Sequence, residues 1–208
     1  MALYLYISKI KKKIMIKWNF INKLFLSLLA FSMASLSFSQ SKYLDSDAAV
    51  RTSVLEENTI YSNKTLMENL APIENFSKFV KAFTTSALEK ELSSYEMYTV
   101  FVPSNEAFSK YSKKELDSLF SDKNVLKNIF SFHVILGRVD KNAIEKTIEI
   151  NHGSARYKTL NGQEITFRKE GDTLMIIGYN GSKSEIYPTN FYHKNGFFHI
   201  IDGVLLSK

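Results

Sequence analysis

The histidines are the side chains in this sequence that are best suited to acid–base or metal chemistry. They are His133, His152, His193 and His199. None lies at metal-ligand spacing from another ligand, and the sequence has no H-E-x-x-H, no G-x-S-x-G and no Gly-rich phosphate loop. Ser104 has no base and no orienting acid at a recognisable spacing. The sequence therefore predicts no catalytic residue, no cofactor and no metal site.

His133 and His199 each lie within an apolar stretch that predicts a β-strand. Along "FFHIID", residues 197–202, apolar side chains alternate onto both faces, which is typical of a strand buried on both sides. A buried imidazole must be hydrogen-bonded, because an unpaired polar group there costs about 1–3 kcal/mol. We expect two core histidines with satisfied hydrogen bonds. The alternative is a small-ligand carrier or an enzyme that uses a pocket near these two imidazoles.

His193 and Asn105 are two further polar residues that could contact a ligand. His193 lies beside Tyr192 in a turn-rich stretch, which predicts a surface position. Asn105 follows a predicted strand and a proline, where an asparagine amide more often ties adjacent backbone groups together than binds a ligand. We therefore expect a structural role for Asn105 and a solvated position for His193.

Residues 1–39 have the pattern of a secretory signal peptide. Six lysines between positions 9 and 23 precede the apolar run "LFLSLLAFSMASLSF", and Ser37 and Ser39 supply a small-x-small cleavage site. The run is about 15 residues long, whereas a helix that spans a bilayer needs roughly 20. We expect cleavage after Ser39 and no stable membrane insertion, with an uncleaved anchor as the alternative. Met15 begins a complete signal by itself and is the expected true start.

The excess of positive charge lies in this leader. The whole chain has 27 Lys and Arg against 21 Asp and Glu, whereas residues 40–208 carry 21 of each. A nucleic-acid partner is not expected, because phosphate binding needs an excess of positive charge on the folded part. The chain has no cysteine, which excludes disulfides, thiolate metal sites and a lipid-modified cysteine. The exported chain must therefore be held together by its core.

Hydrophobic spacing predicts helices in the first half of the exported chain. Residues 40–56 are polar and weakly patterned, so we expect the folded domain over residues 57–208. Apolar residues recur at helical spacing through "NFSKFVKAFTTSALEKEL". Ser104 is a predicted N-cap, and Ser112 with Glu115 forms a capping box. A further helix, capped by Ser121 or Asp122, is expected to bury Val125, Leu126, Ile129 and Phe130.

The second half of the chain changes to the two-residue period of strands. "FHVIL" at 132–136 predicts a compact apolar strand, and from residue 156 alternating segments are separated by turn residues. The strongest turn signal is Asn161-Gly162, since both residues tolerate positive φ. Helices followed by an antiparallel sheet indicate an α+β fold.

Three ordered segments resemble the signature segments of fasciclin domains. "TVFVPSNEAF" at 99–108 resembles the first, "FSFHVILG" at 130–137 resembles the segment with a Tyr-His pair, and "NGFFHIIDGVLLSK" at 195–208 resembles the second. The resemblance covers residues 57–208 and implies a wedge of two short β-sheets with helices packed around it. It also implies extracellular adhesion or matrix association, generally without enzymatic activity.

The residues that carry this resemblance are expected to specify the fold for the most part. They are Thr99, Phe101, Pro103, Asn105, Phe108, His133, Asn195, Gly196, His199, Ile201, Asp202, Val204 and Leu205.

Two departures fall at positions that the resemblance links to adhesion. Phe132 stands where the family has the Tyr of its Tyr-His pair, and Asn190-Phe191 stands where the family often has Asp-Ile. These three residues form the candidate adhesion surface. An integrin-like receptor would need the missing carboxylate, so the expected partner is an extracellular matrix component, a polysaccharide or an envelope protein. The expected location is the cell surface, the extracellular space or the periplasm.

Overall fold

The computed structural model describes residues 49–179 and 181–207 of the chain. The predicted signal peptide and its alternative start at Met15 lie outside the described residues. Within the described ranges, no helix has both the length and the apolar character needed to cross a membrane.

The first described elements form a β-hairpin. β1 (Thr52–Leu55) pairs antiparallel with β2 (Asn58–Tyr61) through a turn at Glu56-Glu57. The folded unit therefore begins at Val50, which corrects the expectation that the polar segment extends over residues 40–56. The sequence does not predict this hairpin, because its turn has two glutamates in place of the Asn-Gly type of signal by which such hairpins are recognised.

The Glu56-Glu57 turn is strained, since its φ angles of 48° and 64° lie in the left-handed region. Glu57→Gly is expected to raise the free energy of unfolding by about 0.5–1 kcal/mol, because glycine adopts this region without a steric cost. Glu56 is kept, since its carboxylate accepts a hydrogen bond from Asn75 at 2.5 Å. Urea denaturation measures the change.

The matched control for this substitution is Glu149→Gly, at an exposed position in the last turn of a helix. Glycine there is expected to lower the free energy of unfolding by up to about 1 kcal/mol. If Glu57→Gly lowers the free energy of unfolding as much as Glu149→Gly does, the hairpin turn is not strained.

Seven α-helices lie in the described part of the chain. They are α1 (Leu66–Leu70), α2 (Ser77–Thr85), α3 (Leu88–Leu92), α4 (Asn105–Ser109), α5 (Lys113–Ser121), α6 (Lys123–Phe132) and α7 (Lys141–Ile150), with a 3-10 turn at Glu74–Phe76 before α2. Local caps begin several of them. Ser104 caps α4, Asp140 caps α7, and Ser112 shares a capping box with Glu115 at the start of α5.

Helix α6 differs from the prediction in its exposed side and at its C-terminal end. Asp122 is its N-cap, and Val125 is 40% exposed because it lies outside the buried stripe that contains Leu126 and Ile129. The helix continues through Phe132, and His133 is its C-cap, so the predicted strand "FHVIL" is shortened to β4 (Val134–Leu136). A short apolar run fits both periods, and here the helical period extends into it.

Two four-stranded sheets form the wedge. The remaining strands are β3 (Tyr98–Pro103), β5 (Ala155–Lys158), β6 (Glu164–Glu170), β7 (Thr173–Ile177), β8 (Lys183–Glu185), β9 (Phe191–His193) and β10 (Gly196–Ile201). The central sheet has the order β4-β3-β10-β9, and the second sheet has the order β5-β6-β7-β8. Within these two sheets the pairings are antiparallel except that of β3 with β10, which is parallel. The class is α+β.

The central sheet is buried on both faces, as the alternation along the last strand predicts. All six residues of β10 are buried. Phe198 belongs to the hydrophobic core shared with the helices, together with Phe130. Phe101 and Ile201 belong to the core shared with the second sheet, where the rings of Phe101 and Phe167 lie 5.3 Å apart. The parallel pairing of β3 with β10 brings the first and the second signature segments side by side between these cores.

Candidate functional site

His199 lies at the centre of the central sheet and is bound on both sides of its ring. It is fully buried. Its Nδ1 accepts from the backbone N–H of Asn190 at 3.2 Å, so Nε2 carries the proton and donates to the carbonyl of Val139 at 2.8 Å. Burial lowers the pKa of His199 to about 4, which keeps the ring neutral at pH 7. Both ring nitrogens are used inside the protein.

His133 is satisfied in the same way with the opposite tautomer. Its Nε2 accepts from the backbone N–H of Leu205 at 3.0 Å, and its Nδ1 donates to the carbonyl of Ile129 at 2.9 Å. Burial lowers the pKa of His133 to about 4. This imidazole joins the end of α6 to the segment after β10.

His193 is buried with only 3% of its surface exposed, which corrects the predicted surface position. The turn-rich stretch contains the short strand β9, and pairing with β10 places His193 across from Gly196 and 4.8 Å from the ring of Tyr98. Its Nδ1 accepts from the backbone N–H of Asn195 at 3.3 Å. Burial lowers the pKa of His193 to about 4, and the charge of Arg138 acts in the same direction.

The pocket required by the ligand-carrier or enzyme alternative is not formed around these imidazoles. The described residues form two small cavities. One has a volume of about 100 Å³ and is lined by Thr65, Tyr98 and Asn195 among others. The other is a groove of about 220 Å³ beside Tyr111 and Leu206. Neither is lined by a histidine. The burial and internal hydrogen bonds of His133 and His199 therefore contradict that alternative.

Asn105 has the expected structural role, but it binds residues 74–78 and not the adjacent backbone groups that were expected. Its Oδ1 accepts from the backbone N–H of Lys78 at 3.0 Å, and its Nδ2 donates to the carbonyl of Glu74 at 2.8 Å and to the hydroxyl of Ser77 at 3.0 Å. The side chain thus caps the start of α2 from the start of α4. It anchors the first signature segment to the helical layer.

Thr99 and Asp202 also fix backbone segments. The Thr99 hydroxyl donates to the carbonyl of Gly137 at 2.8 Å and accepts from the backbone N–H of Val139 at 2.9 Å. The Asp202 carboxylate accepts from the backbone N–H of Glu185 at 2.7 Å. The apolar motif residues are buried, namely Phe101, Pro103, Phe108, Ile201, Val204 and Leu205.

The candidate adhesion surface is not a surface, which corrects that prediction. Phe132 is fully buried and Phe191 is 5% exposed, with its ring stacked on that of Phe198 at 5.1 Å. Asn190 is partly buried, has φ of 64°, and accepts from the backbone N–H of Lys141 at 2.8 Å at the start of α7. Phe132 and Phe191 therefore make packing contacts, and Asn190 makes a capping contact.

Comparison with known proteins identifies this architecture. A model of the fasciclin domain matches residues 74–207. The chain belongs to the fasciclin family. This fasciclin domain is 29% identical to periostin of Homo sapiens over 144 residues, which is 69% of the chain and 16% of periostin. It is 29% identical to the cell surface glycolipoprotein MPB83 of Mycobacterium bovis over 109 residues, which is 52% of the chain and 43% of MPB83.

Among solved structures, the fasciclin domain is similar to a FAS1 domain pair from the insect cell adhesion molecule fasciclin I. The TM-score is 0.52 at 25% identity, and the match covers 63% of this chain and 45% of that one. The chain thus spans less than half the length of each of these three proteins. The fold is that of the family, and its relatives include cell-surface and cell-adhesion proteins.

Two exposed arginines of the fasciclin domain lie on a pair of aromatic rings, a cluster that the sequence does not predict. The guanidinium of Arg51 lies 5.0 Å from the ring centroid of Tyr192, and that of Arg138 lies 5.0 Å from the ring centroid of Phe197. These residues are far apart in the sequence. The available signal was the alternation along β9 and β10, which places Tyr192 opposite Phe197.

Proposed function

We propose that this chain is an exported, non-catalytic adhesion module that attaches the cell or its envelope to an extracellular matrix. The family match over residues 74–207 carries the proposal, since relatives with this domain include a cell surface glycolipoprotein and a cell adhesion molecule. Export is supported by the leader pattern in residues 1–39, which is of the secretory type.

The use of polar groups inside the domain supports binding over catalysis. A general acid or base must reach a substrate proton within hydrogen-bond distance. The imidazoles of His133 and His199 instead bind backbone groups, and the pKa of each is lowered by burial to about 4. The motif residues hold a rigid wedge in shape, so function is assigned to its exposed surface. The proposed partner is a matrix component, a polysaccharide or an envelope protein.

Deletion of the gene with complementation tests this proposal. The tagged protein is expected in the envelope or the medium, and the deletion strain is expected to leave several-fold less attached biomass than the strain that carries the full chain. The readouts are cell fractionation and the mass of attached cells on abiotic and polysaccharide-coated surfaces. A cytoplasmic location, or unchanged attachment on every surface, would contradict the proposal.

A further inference from the structure

An aromatic pair lies at the end of the central sheet, outside both hydrophobic cores. Tyr192 and Phe197 stand opposite each other in the β9–β10 pairing, with ring centroids 4.7 Å apart. Phe197 is only 4% exposed, yet it belongs to neither core cluster. The guanidinium of Arg138 covers it at 5.0 Å. Two aromatic rings are thus shielded by a cation where the rest of the sheet is covered by apolar side chains.

Two arginines lie on this pair. Arg51 and Arg138 are exposed residues, and their guanidinium carbons lie 5.0 Å and 5.8 Å from the centroid of the Tyr192 ring. Arg51 also donates a hydrogen bond to the Tyr192 hydroxyl at 2.8 Å. Cation–π contacts within about 6 Å reduce the freedom of a long side chain. A stacked guanidinium keeps its N–H donors in a planar fork, which matches a carboxylate in a bidentate manner.

Two lysines extend the positive charge beside this cluster. The backbone N–H of Lys194 donates to the carbonyl of Lys64 at 2.7 Å, so these residues are neighbours, and the Lys64 ammonium lies 4.3 Å from the ring centroid of Tyr61. Both lysines are exposed. We call the surface formed by Arg51, Lys64, Arg138, Tyr192, Lys194 and Phe197 the basic platform.

The acidic residues near the basic platform are engaged in helix caps. The carboxylate of Glu68 accepts from the backbone N–H of Thr65 at 2.7 Å, and the bonds from Thr65 lower the pKa of Glu68, with smaller effects from the two platform lysines. The carboxylate of Asp140 accepts from the backbone N–H of Ala143 at 2.8 Å. A capping hydrogen bond does not remove the charge of a carboxylate, so the four basic side chains of the platform outnumber these two acidic ones, whereas acidic and basic residues are equal in number over residues 40–208.

We propose that the basic platform binds a carboxylated polysaccharide, that is, a chain rich in uronic acid. Such a chain presents carboxylates at regular intervals for the arginines and lysines, and an apolar sugar face can pack beside the half-buried ring of Tyr192. Several weak contacts along one polymer bind more tightly together than any one of them alone, because they are linked. This inference rests on the proposed adhesion function and names the chemistry of its partner.

Binding to polygalacturonate tests the inference with the exported form of the full chain. Arg51→Gln combined with Arg138→Gln is expected to weaken binding by about 10-fold or more at about 0.15 M ionic strength, where the Debye length is about 8 Å, since two charge-assisted contacts are lost. The matched control is Lys113→Gln combined with Lys114→Gln on α5, which removes the same charge at two exposed positions. The control is expected to change the affinity less than about twofold, because exposed charges beyond a Debye length are screened.

Tyr192→Phe is the second variant, and it keeps the ring while removing the hydroxyl that accepts from Arg51. It is expected to weaken binding by about two- to threefold, since the loss of one bond frees the guanidinium. Circular dichroism verifies that each variant is folded. Unchanged binding by this variant and by the double arginine variant would overturn the inference.

Three further outcomes would also overturn it. These are no binding of polygalacturonate, equal losses in the arginine and lysine double variants, and tighter binding of a DNA duplex than of polygalacturonate at the same salt concentration. Neutral dextran is the polymer control. If deletion of the gene reduces attachment while polygalacturonate does not bind, this inference fails and the adhesion function stands. If deletion leaves attachment unchanged, the adhesion function itself fails.

Discussion

Acidification from pH 7 to pH 5 is expected to lower the free energy of unfolding by about 5 kcal/mol. Burial lowers the pKa of His133, His193 and His199 to about 4, below the ordinary value of 6.5. Between these two values the three histidines are protonated in the unfolded chain but stay neutral in the folded chain. The stabilisation is fully present above pH 6.5 and is lost as the pH falls toward 4. Each histidine contributes on the order of 2 kcal/mol to this change.

Urea denaturation followed by circular dichroism at pH 7, 6 and 5 measures this effect. His193→Gln is expected to remove about one of the three protons taken up on unfolding, because the glutamine side chain does not titrate. His152→Gln, at an exposed position, is the matched control for the exchange of a histidine for a glutamine. A stability that does not vary between pH 7 and pH 5 would contradict the burial of three neutral imidazoles.

Gly196→Ala is expected to lower the free energy of unfolding by about 3–4 kcal/mol. Gly196 has φ of 146°, and a Cβ there would lie 2.1 Å from the backbone oxygen of Tyr98. Tyr98 is its partner in the parallel β3–β10 pairing, so the clash is with backbone that cannot move without opening the central sheet. This position requires glycine for the approach of the two strands.

Thermal and urea denaturation measure this loss against a matched control. Gly137→Ala places the same methyl group at a residue with φ of 105° and no atom within 4 Å. It is expected to cost only the backbone strain, about 1 kcal/mol. If the two variants lose the same stability, the close approach at Gly196 does not constrain the sheet.

Features that depend on neighbouring residues could be predicted from the sequence. The Ser112–Glu115 capping box and the Ser104 cap are each set by side chains three positions from the backbone groups they bind. The two-sided burial of β10 follows from its alternation. The environment of His199 could be predicted too, because a polar ring on a buried strand has to find partners.

Features that depend on distant partners could not be predicted in this way. The parallel pairing of β3 with β10 leaves no local pattern, and it is this pairing that places the two signature segments together. Strand β9 has three residues in a turn-rich stretch, so the burial of His193 and Phe191 had no periodic signal. The hairpin at Glu56-Glu57 is not predicted because glutamate rarely adopts the positive φ that both residues of this turn have.

The candidate adhesion residues show a different limit. Phe132 and Asn190-Phe191 occupy positions that the resemblance links to adhesion, and position alone says nothing about exposure. Because Phe132 and Phe191 are buried, a binding surface has to be formed by other residues, such as Arg51 and Tyr192, which come from separate segments of the chain. Such a surface depends on the tertiary fold, whereas the motif residues that reveal the family hold the fold from inside.

The attachment of complemented deletion strains tests the central claim, that the exposed surface of this domain mediates adhesion, most directly. The deletion is expected to reduce attached biomass on a polyuronate-coated surface, and the wild-type chain is expected to restore it. The Lys113→Gln, Lys114→Gln variant should restore it equally, whereas the Arg51→Gln, Arg138→Gln variant at equal surface abundance should not. Unreduced attachment of the deletion strain would contradict the account.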